Sequence, residues 1–469
     1  MIQRADPPKR SASERVVDFG EIYSDFDEES VRRQASRCIQ CPDPLCMQGC
    51  PLSNRIPDWL ALASEGAFLE AAALSRSTSN MPEICSRVCP QDKLCEGACI
   101  LNAKGEPVAI GSVERFINDH AFALNAVDAR PAVPNGHRVA VVGSGPGGIA
   151  CADELAQAGT AVTIFESQDI PGGLLMNGIP AFKLDKRLVR QRLDLLAKRG
   201  VVLKLGVRVG WDVSLAGLLS DFGAVFLGIG AQRSKPLDIP GGTAAGIVDA
   251  LPFLIEKNID AALSGLPPID VGDRRVIVLG GGDTAMDCLR TALRCGARDA
   301  SCLYRRDLAN MPGNRKEFHN ALEEGARFEF LTNPVEIGAG DDGRVTGIRC
   351  ERMELGEPDA SGRRKPRPIP DSAFVVPADL VIVAFGFDPV PFPQESDFGR
   401  IKTDPWGGLV VDRNQMTTIP GVFAGGDSVR GPSLVVHAVR DARRAARAIL
   451  SYLGSRGAAP SAPPEAPQA

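Results

Sequence analysis

Short apolar runs and helical patterns alternate through the central part of the chain. Residues 139–142 form an apolar run, residues 149–158 have a helical pattern closed by Gly159, and residues 161–165 form a second, β-branched run. Runs of this length suit buried parallel strands, and a 3.6-residue period suits a helix. The same order of strand, helix and strand recurs over residues 275–306. The pattern therefore predicts an α/β protein with two Rossmann-like dinucleotide-binding domains.

The part of the chain before these units has a different pattern. A polar arm over residues 1–30 is followed by helical periodicity over 56–74 and 112–124. We therefore expect an α-helical domain in front of the two Rossmann-like domains. The predicted division of the chain is 1–130 for the helical domain, 131–235 with 385–455 for the first Rossmann-like domain, 236–384 for the second, and 456–469 for a disordered, Pro/Ala/Ser-rich tail.

A glycine turn follows the first apolar run. Gly143, Gly145 and Gly148 have the spacing G-x-G-x-x-G, and the next strand ends on Glu166. The first glycine makes the turn, the second lets the backbone approach a pyrophosphate, and the third lets helix and strand pack. A carboxylate at the strand end accepts a hydrogen bond from an adenosine ribose. The predicted cofactor-binding residues of this unit are Gly143, Ser144, Gly145, Pro146, Gly147, Gly148 and Glu166.

The second unit carries G-x-G-x-x-A and ends on basic residues. Where the first unit has Glu166, the second has Arg305 and Arg306. Guanidinium groups bind an adenosine 2'-phosphate, whereas a carboxylate would repel it, so we expect NADP here and an adenosine without that phosphate in the first unit. The alternative is that the two arginine side chains are exposed to solvent and bind no nucleotide. The predicted residues are Gly282, Asp283, Thr284, Ala285, Arg305 and Arg306.

Three further segments contain glycines that we expect to lie near the bound nucleotides. They are the loop after the first unit, an apolar strand over 380–386, and the segment 421–439. Glycine in such places lets the backbone pass close to a ligand. In the last of these, backbone and an acid are placed to reach a flavin's ribityl and phosphate region. The predicted cofactor-binding residues of the three segments are Gly173, Leu174, Lys183, Ala384, Gly386, Gly426 and Asp427. Between about residues 310 and 378 no chemical pattern is recognisable.

Eight of the thirteen cysteines lie in the helical part. They are spaced C-x2-C-x4-C-x3-C-P and C-x3-C-P-x5-C-x3-C, which supplies ligands for two 4Fe-4S clusters; zinc sites and disulfides are the alternatives. By analogy with bacterial ferredoxins, we expect crossed ligation. One cluster would take Cys38, Cys41, Cys46 and Cys99. The other would take Cys50, Cys89 and Cys95, with Cys85 or Glu114 as the fourth ligand.

The charge and apolar content of the chain exclude some classes of function. The chain has 469 residues and a formal charge of -5, so it has no basic excess for nucleic acid or an anionic membrane. No apolar segment approaches the length of a membrane span, and the N-terminus has no secretory apolar region. We expect a cytoplasmic protein that contacts neither nucleic acid nor membrane.

The motifs together resemble one family. The eight-cysteine pattern, SGPGGIACADELA, GGLLMNGIPAFKLDK, GGGDTAMDC, YRRDLANMPG and FAGGDSVRGPSLVV are similar, in the same order, to the small (beta) subunit of NADPH-dependent glutamate synthase. The resemblance implies FAD in the first nucleotide site, NADPH in the second, and two 4Fe-4S clusters in the N-terminal domain. A related flavin and cluster module, in dihydropyrimidine dehydrogenase, has a glutamine as a cluster ligand where this chain has Glu114.

The resemblance also implies an activity. Hydride would pass from NADPH to FAD, and single electrons would then pass through the clusters to the large (alpha) subunit, which makes glutamate from glutamine and 2-oxoglutarate. The cofactors carry this chemistry, so no catalytic side chain is named. The alternative within enzymes is a paralogous module that reduces ferredoxin or another acceptor. A cysteine-rich zinc scaffold with a decayed flavoprotein fold is the alternative outside enzymes, and both intact glycine motifs disfavour it.

Overall fold

The computed structural model describes residues 2–259, 265–358, 362–390 and 392–455. Within these ranges, a helical N-terminal part precedes two parallel sheets that are flanked by helices. The expected α/β class, with two Rossmann-like domains after a helical domain, is confirmed. The predicted tail over 456–469 lies outside the described residues.

The helical part packs around Trp59, whose indole N-H donates to the side-chain oxygen of Asn54 at 3.1 Å. The helical periodicity over 56–74 is confirmed, but the range is divided into two helices, because Gly66 takes a left-handed conformation with φ +88° and ends the first helix there. Short 3-10 turns cover Gln91–Lys93 and Ile100–Lys104. The α-helices of this part are α1 (Ala12–Arg15), α2 (Glu28–Ala35), α3 (Leu45–Gly49), α4 (Ile56–Glu65), α5 (Phe68–Thr78), α6 (Pro82–Val88) and α7 (Ile110–Ala123).

The first sheet is parallel, with the order β16-β4-β1-β2-β3. Its strands are β1 (Arg138–Val142), β2 (Ala161–Phe165), β3 (Val202–Lys204), β4 (Ala224–Leu227) and β16 (Val422–Ala424). Its helices are α8 (Pro146–Gln157), α9 (Leu174–Asn177), α10 (Lys186–Lys198), α11 (Leu215–Asp221), α15 (Asp427–Arg430) and α16 (Val435–Gly454). The long α16 packs against α8, so the C-terminal segment covers the first glycine-turn helix.

The second sheet is also parallel, with the order β6-β14-β7-β8-β9. Its strands are β6 (Ile247–Asp249), β7 (Arg275–Leu279), β8 (Asp299–Tyr304), β9 (Arg327–Phe330) and β14 (Leu380–Val383). Its helices are α12 (Ala250–Asn258), α13 (Asp283–Arg294) and α14 (Arg315–Glu323). Since all strands are parallel, both glycine turns lie at the carboxyl edge of their sheet, where ligands bind in this architecture.

An antiparallel sheet is inserted between β9 and β14. Its strands are β10 (Thr332–Ala339), β11 (Val345–Pro358), β12 (Arg364–Pro368) and β13 (Phe374–Pro377). A two-stranded ribbon joins the chain segments that run between the two parallel sheets, with β5 (Arg233–Ser234) paired to β15 (Phe387–Asp388). A 3-10 turn over Asp397–Arg400 follows the ribbon.

Candidate functional site

Of the three glycines in the first G-x-G-x-x-G motif, Gly145 is the one that leaves room for a ligand. Gly143 has φ +95°, and a Cβ there would lie 2.5 Å from the carbonyl oxygen of Gly228. A Cβ on Gly148 would lie 1.8 Å from the carbonyl oxygen of Gly143. At Gly145, by contrast, no heavy atom lies within 4 Å of the Cβ position. The open backbone at the N-terminus of α8 therefore fits a pyrophosphate.

Glu166 ties this turn to the following loop. Its carboxylate accepts hydrogen bonds from the backbone N-H of Ser144 at 2.8 Å and from the Ser144 hydroxyl at 2.6 Å. The Ser144 hydroxyl oxygen in turn accepts the backbone N-H of Gly172 at 2.8 Å. A further hydrogen bond reaches Glu166 from the backbone of Gln168 at 2.9 Å. Ser144 thus positions the acid and the loop, a role that the motif alone does not reveal.

The glycine-rich loop packs directly on the turn. Gly173 has φ +52°, and a Cβ there would lie 2.8 Å from Cα of Gly145. Leu174 begins α9 and packs against the small apolar cluster near the ribbon. Pro146 and Gly147 form the first turn of α8. The structure therefore brings these predicted residues together at one edge of the first sheet.

Gly426 and Asp427 follow β16 at the same edge. Gly426 has φ +74°, and the carboxylate of Asp427 accepts the backbone N-H of Ser433 at 3.1 Å. Burial raises the pKa of Asp427 to about 7. The neighbouring acid, Asp441, is buried and paired with Arg430 at 2.7 Å. The acid predicted to reach the flavin thus lies at the same edge of the first sheet as the glycine turn, in a partly desolvated position.

The second glycine turn repeats the arrangement of the first. A Cβ on Gly280 would lie 2.3 Å from the carbonyl oxygen of Ala384, whereas Gly282 has no heavy atom within 4 Å of that position. The backbone is therefore open at the N-terminus of α13. Asp283 accepts the backbone N-H of Asn314 at 2.8 Å, and Ala384 backs the turn at the end of β14.

The remaining predicted residues of the second site have different surroundings. Thr284 and Ala285 lie in the first turn of α13, and the carbonyl oxygen of Gly386 accepts the backbone N-H of Lys235, just after β5, at 3.1 Å. Arg305 is exposed at the end of β8, whereas Arg306 is buried and donates through Nε to the carbonyl oxygen of Arg364 at 2.8 Å. The inserted sheet therefore meets the second site at Arg306.

Lys183 joins the two nucleotide domains. Its Nζ lies 2.8 Å from Oδ1 of Asp287 on α13, and both side chains are largely buried. Burial raises the pKa of Asp287 to about 6, and the carboxylate raises the pKa of Lys183. Lys186, which the sequence patterns do not single out, donates to the carbonyl oxygens of Leu175 and Ile179 in the glycine-rich loop, and burial lowers its pKa to about 7.

The eight N-terminal cysteines surround two cavities. All thirteen cysteines of the chain are free thiols, and all lie in the described part. An inner cavity is lined by Cys50, Cys85, Cys89 and Cys95. An outer cavity is lined by Cys38, Cys41, Cys46 and Cys99. The structure brings together the same two sets that the ferredoxin analogy groups.

Glu114 also lines the inner cavity. Its Oε1 accepts hydrogen bonds from the Asn54 amide and the Ser75 hydroxyl, each at 2.9 Å, and burial raises its pKa to about 7. Cys85 and Glu114 therefore both border the space where a fourth ligand is needed. Among the described residues, no three His, Cys, Asp or Glu side chains converge on a point that would hold a single metal ion. Each cavity is lined by four thiols, which is the donor set that a 4Fe-4S cluster takes.

Comparisons with known proteins identify both parts of the chain. Residues 15–126 match the 4Fe-4S cluster domain described as domain II of dihydropyrimidine dehydrogenase, and residues 137–442 match the pyridine nucleotide-disulphide oxidoreductases. The chain is therefore an oxidoreductase, and the predicted cofactors, FAD, NADPH and 4Fe-4S clusters, are confirmed over zinc and disulfides. Along the described ranges, no helix combines the length and the apolar character needed to cross a membrane.

Individual proteins extend the likeness. The structure of Mycobacterium tuberculosis FprA in complex with NADPH has a TM-score of 0.58 and 23% identity, covering 68% of this chain and 85% of that chain, which shows a shared fold. The Escherichia coli oxidoreductase AegA is 46% identical over 94% of this chain and 69% of its own length. The Escherichia coli glutamate synthase (NADPH) small chain is 45% identical over 95% of this chain and 96% of its own length. The chain belongs to the family of the glutamate synthase (NADPH) small chains, whose nucleotide-binding part is that of the pyridine nucleotide-disulphide oxidoreductases.

Proposed function

We propose that the chain is the electron-input subunit of a cytoplasmic glutamate synthase, which takes electrons from NADPH and delivers them singly to the large subunit that makes glutamate. One observation carries this proposal. The inner cysteine cavity is lined by Val436 of α16, and Ala438, two residues along the same helix, lies against the first nucleotide site, where a Cβ on Gly426 would be 3.2 Å from its Cβ. Ile110 lines both cysteine cavities. The first nucleotide site, the inner cavity and the outer cavity are therefore consecutive neighbours.

The first glycine turn is assigned to FAD and the second to NADPH. When bound, NADPH, flavin and clusters supply hydride and one-electron chemistry. The chain's own part is to bind and orient them: the open backbone at Gly145 faces one pyrophosphate, and that at Gly282 faces the other. Glu166 remains the proposed ribose ligand, and Arg305 the proposed 2'-phosphate ligand.

For the clusters, we assign the outer cavity thiols to one and the inner cavity thiols to the other. Cys85 is the proposed fourth inner ligand, since one oxygen of Glu114 already accepts two hydrogen bonds. Replacing Cys85 by Ser should lower the bound iron and change the electron paramagnetic resonance spectrum, whereas Glu114→Ala, which removes every donor atom of that side chain, should leave four irons at that site. The reverse pattern would assign Glu114 as the ligand.

The function is tested on the complex of this chain with the glutamate synthase large subunit from the same cells, prepared without oxygen. NADPH oxidation should require both glutamine and 2-oxoglutarate and should yield glutamate. Cys46→Ser, in the outer cavity, should abolish glutamate formation while NADPH still bleaches the flavin. Cys295→Ser, outside both cavities, is the matched control and should behave as the wild type. NADPH oxidation that ignores both substrates would contradict the proposal.

A second candidate has a specific observation in its favour. AegA is as similar to this chain as the glutamate synthase small chains are, and the match leaves about a third of AegA outside. A module that reduces ferredoxin or another protein acceptor would carry the same nucleotide and cluster sites. In the assay above, reduction of ferredoxin without glutamate formation identifies this alternative.

A further inference from the structure

The two cysteine cavities differ in how their apolar walls meet solvent. The inner cavity is walled by Ile56, Ile110 and Val436, all buried. The outer cavity has Ile39, Leu45 and Ile100 in its wall, and these side chains are 58%, 42% and 51% exposed. The outer cavity therefore has one wall made of aliphatic side chains that face solvent. We call Ile39, Leu45 and Ile100 the rim.

Each rim residue is a chain neighbour of an outer-cavity cysteine. Ile39 follows Cys38, Leu45 precedes Cys46, and Ile100 follows Cys99. Single exposed aliphatic residues are common on any protein surface. Three that gather around one cavity form a patch, and apolar patches of this kind mark contact sites for other molecules.

The charges beside the rim indicate which kind of partner fits. Residues 38–58 and 99–107 carry three acidic and two basic side chains, all exposed; these are Asp43, Asp58, Glu106, Arg55 and Lys104. Arg55 is paired with Asp58 at 2.7 Å, and Glu106 lies 3.4 Å from Arg37. No basic excess is left in these segments to attract an acidic protein. Association here therefore depends on apolar contact, which is typical of lasting complexes.

We propose that the rim is the docking surface for the electron-accepting large subunit, which covers it with an apolar surface beside its own redox centre. The proposal rests on the proposed function, because it takes the outer cavity as the place where electrons leave the chain. A partner seated on the rim meets the outer cavity through one layer of side chains. A small diffusible oxidant would not need an apolar contact surface to reach the outer cavity.

The test replaces Ile39 and Ile100 by Asp in the full chain. Binding to the separately purified large subunit should weaken at least about tenfold, since two charges would be buried in an apolar contact. Glutamine-dependent NADPH oxidation should fall by a similar factor at fixed large-subunit concentration. Because both residues border the outer cavity, iron content and the rate of flavin bleaching by NADPH are measured on every preparation, and binding is compared only where the iron content equals that of the wild type. Val133→Asp, at an 88% exposed aliphatic residue outside both cavities, is the matched control and should change none of these.

Wild-type affinity and coupled rate in the Asp pair, with full iron content, would overturn the proposal. If the Asp pair fails to assemble its clusters, Ile39→Gln with Ile100→Gln serves the same test without added charge. A wild-type chain that ignores the large subunit but reduces ferredoxin contradicts the proposed function instead. The rim then stands as a docking surface only if the same variants slow ferredoxin reduction, and it falls if they do not.

Discussion

Arg305 and Arg306 are adjacent in the chain but have different surroundings. Arg305 is exposed at the end of β8, where an adenosine 2'-phosphate would lie relative to the second glycine turn. Arg306 is buried and its Nε is used by the carbonyl oxygen of Arg364. The first is therefore expected to select the nucleotide, and the second to hold the inserted sheet in place.

Replacing Arg305 by Ala should raise the KM for NADPH about 10- to 100-fold, because a charge-assisted contact contributes about 1.5–3 kcal/mol. The KM for NADH should change little, since that nucleotide lacks the phosphate. Arg298→Ala, which removes an exposed ion pair with Asp273 in the same domain, is the control and should alter neither value. Equal changes for NADPH and NADH in the Arg305 variant would contradict the assignment.

Asp427 gives the first nucleotide site a dependence on pH. Burial is the main cause that raises its pKa from 3.8 to about 7, Asp441 adds to the rise, and Arg430 and the backbone of Ser433 oppose it. The folded state therefore binds a proton that the unfolded state has lost, so this residue lowers stability progressively as pH rises from about 4 to about 7.

The Asp427→Asn variant should remove this dependence. In the flavin-free protein, the unfolding free energy of the variant minus that of the wild type should rise by about 1 kcal/mol between pH 6 and pH 8. Urea unfolding at both pH values measures the difference. Asp441→Asn would not serve as a substitute, because that acid is paired with Arg430. A constant difference between the Asn variant and the wild type would show that Asp427 ionises normally.

At the scale of elements, the N-terminal arm is built into the molecule. Arg15 of α1 is buried and its Nε donates to Glu324 at 2.8 Å, after α14 of the second nucleotide domain. Glu324 also pairs with Arg290 at 2.9 Å and Arg294 at 2.6 Å. The Tyr23 hydroxyl donates to the side chain of Asn320 at 3.0 Å. The polar arm predicted from the sequence is thus a strap across the second domain.

Replacing Arg15 by Met should release this strap without unfolding the domain, since Glu324 keeps its two other arginine partners. Hydrogen exchange of the backbone of residues 12–16 should become faster, while the strands of the second sheet keep their protection. Arg10→Met removes the exposed Arg10–Asp18 pair of the same arm and is the matched control. Unchanged exchange in the Arg15 variant would show that other contacts hold the arm.

At the scale of the whole molecule, buried ion pairs join the three parts. Glu83 of α6 binds Arg192 of α10 at 2.7 Å, which joins the cysteine domain to the first nucleotide domain. Lys183 binds Asp287 between the two nucleotide domains. Beside that pair, the Phe182 ring lies 4.3 Å from the Arg290 guanidinium. Breaking one partner of such a pair leaves a buried charge unpaired.

Lys183→Met and Asp287→Leu should therefore each cost about 3–5 kcal/mol, whereas the double variant with both changes should cost less than either single change. The midpoints of urea unfolding measure these effects. Arg275→Met, which breaks a half-exposed pair with Asp379, is the control and should cost less than about 1 kcal/mol. Additive losses in the double variant would mean that the two side chains contribute independently of each other.

The elements and motifs that depend on near neighbours in the chain were determined by the sequence. The strands at 139–142 and 161–165 and the two glycine turns follow local rules, because periodicity and backbone freedom act within a few residues. The break at Gly66 was missed, since an isolated glycine in a helical pattern predicts a break only weakly.

Only the tertiary structure decided which distant residues meet. Arg15 and Glu324 are 309 residues apart, and Lys183 and Asp287 are 104 apart. The hydrogen bond from Arg306 to the inserted sheet likewise depends on how the elements pack. So does the exposure of the rim of the outer cavity to solvent. Local patterns state which side chains an element carries. Their partners, their burial and the pKa values that follow are set by packing against elements that no local pattern contains.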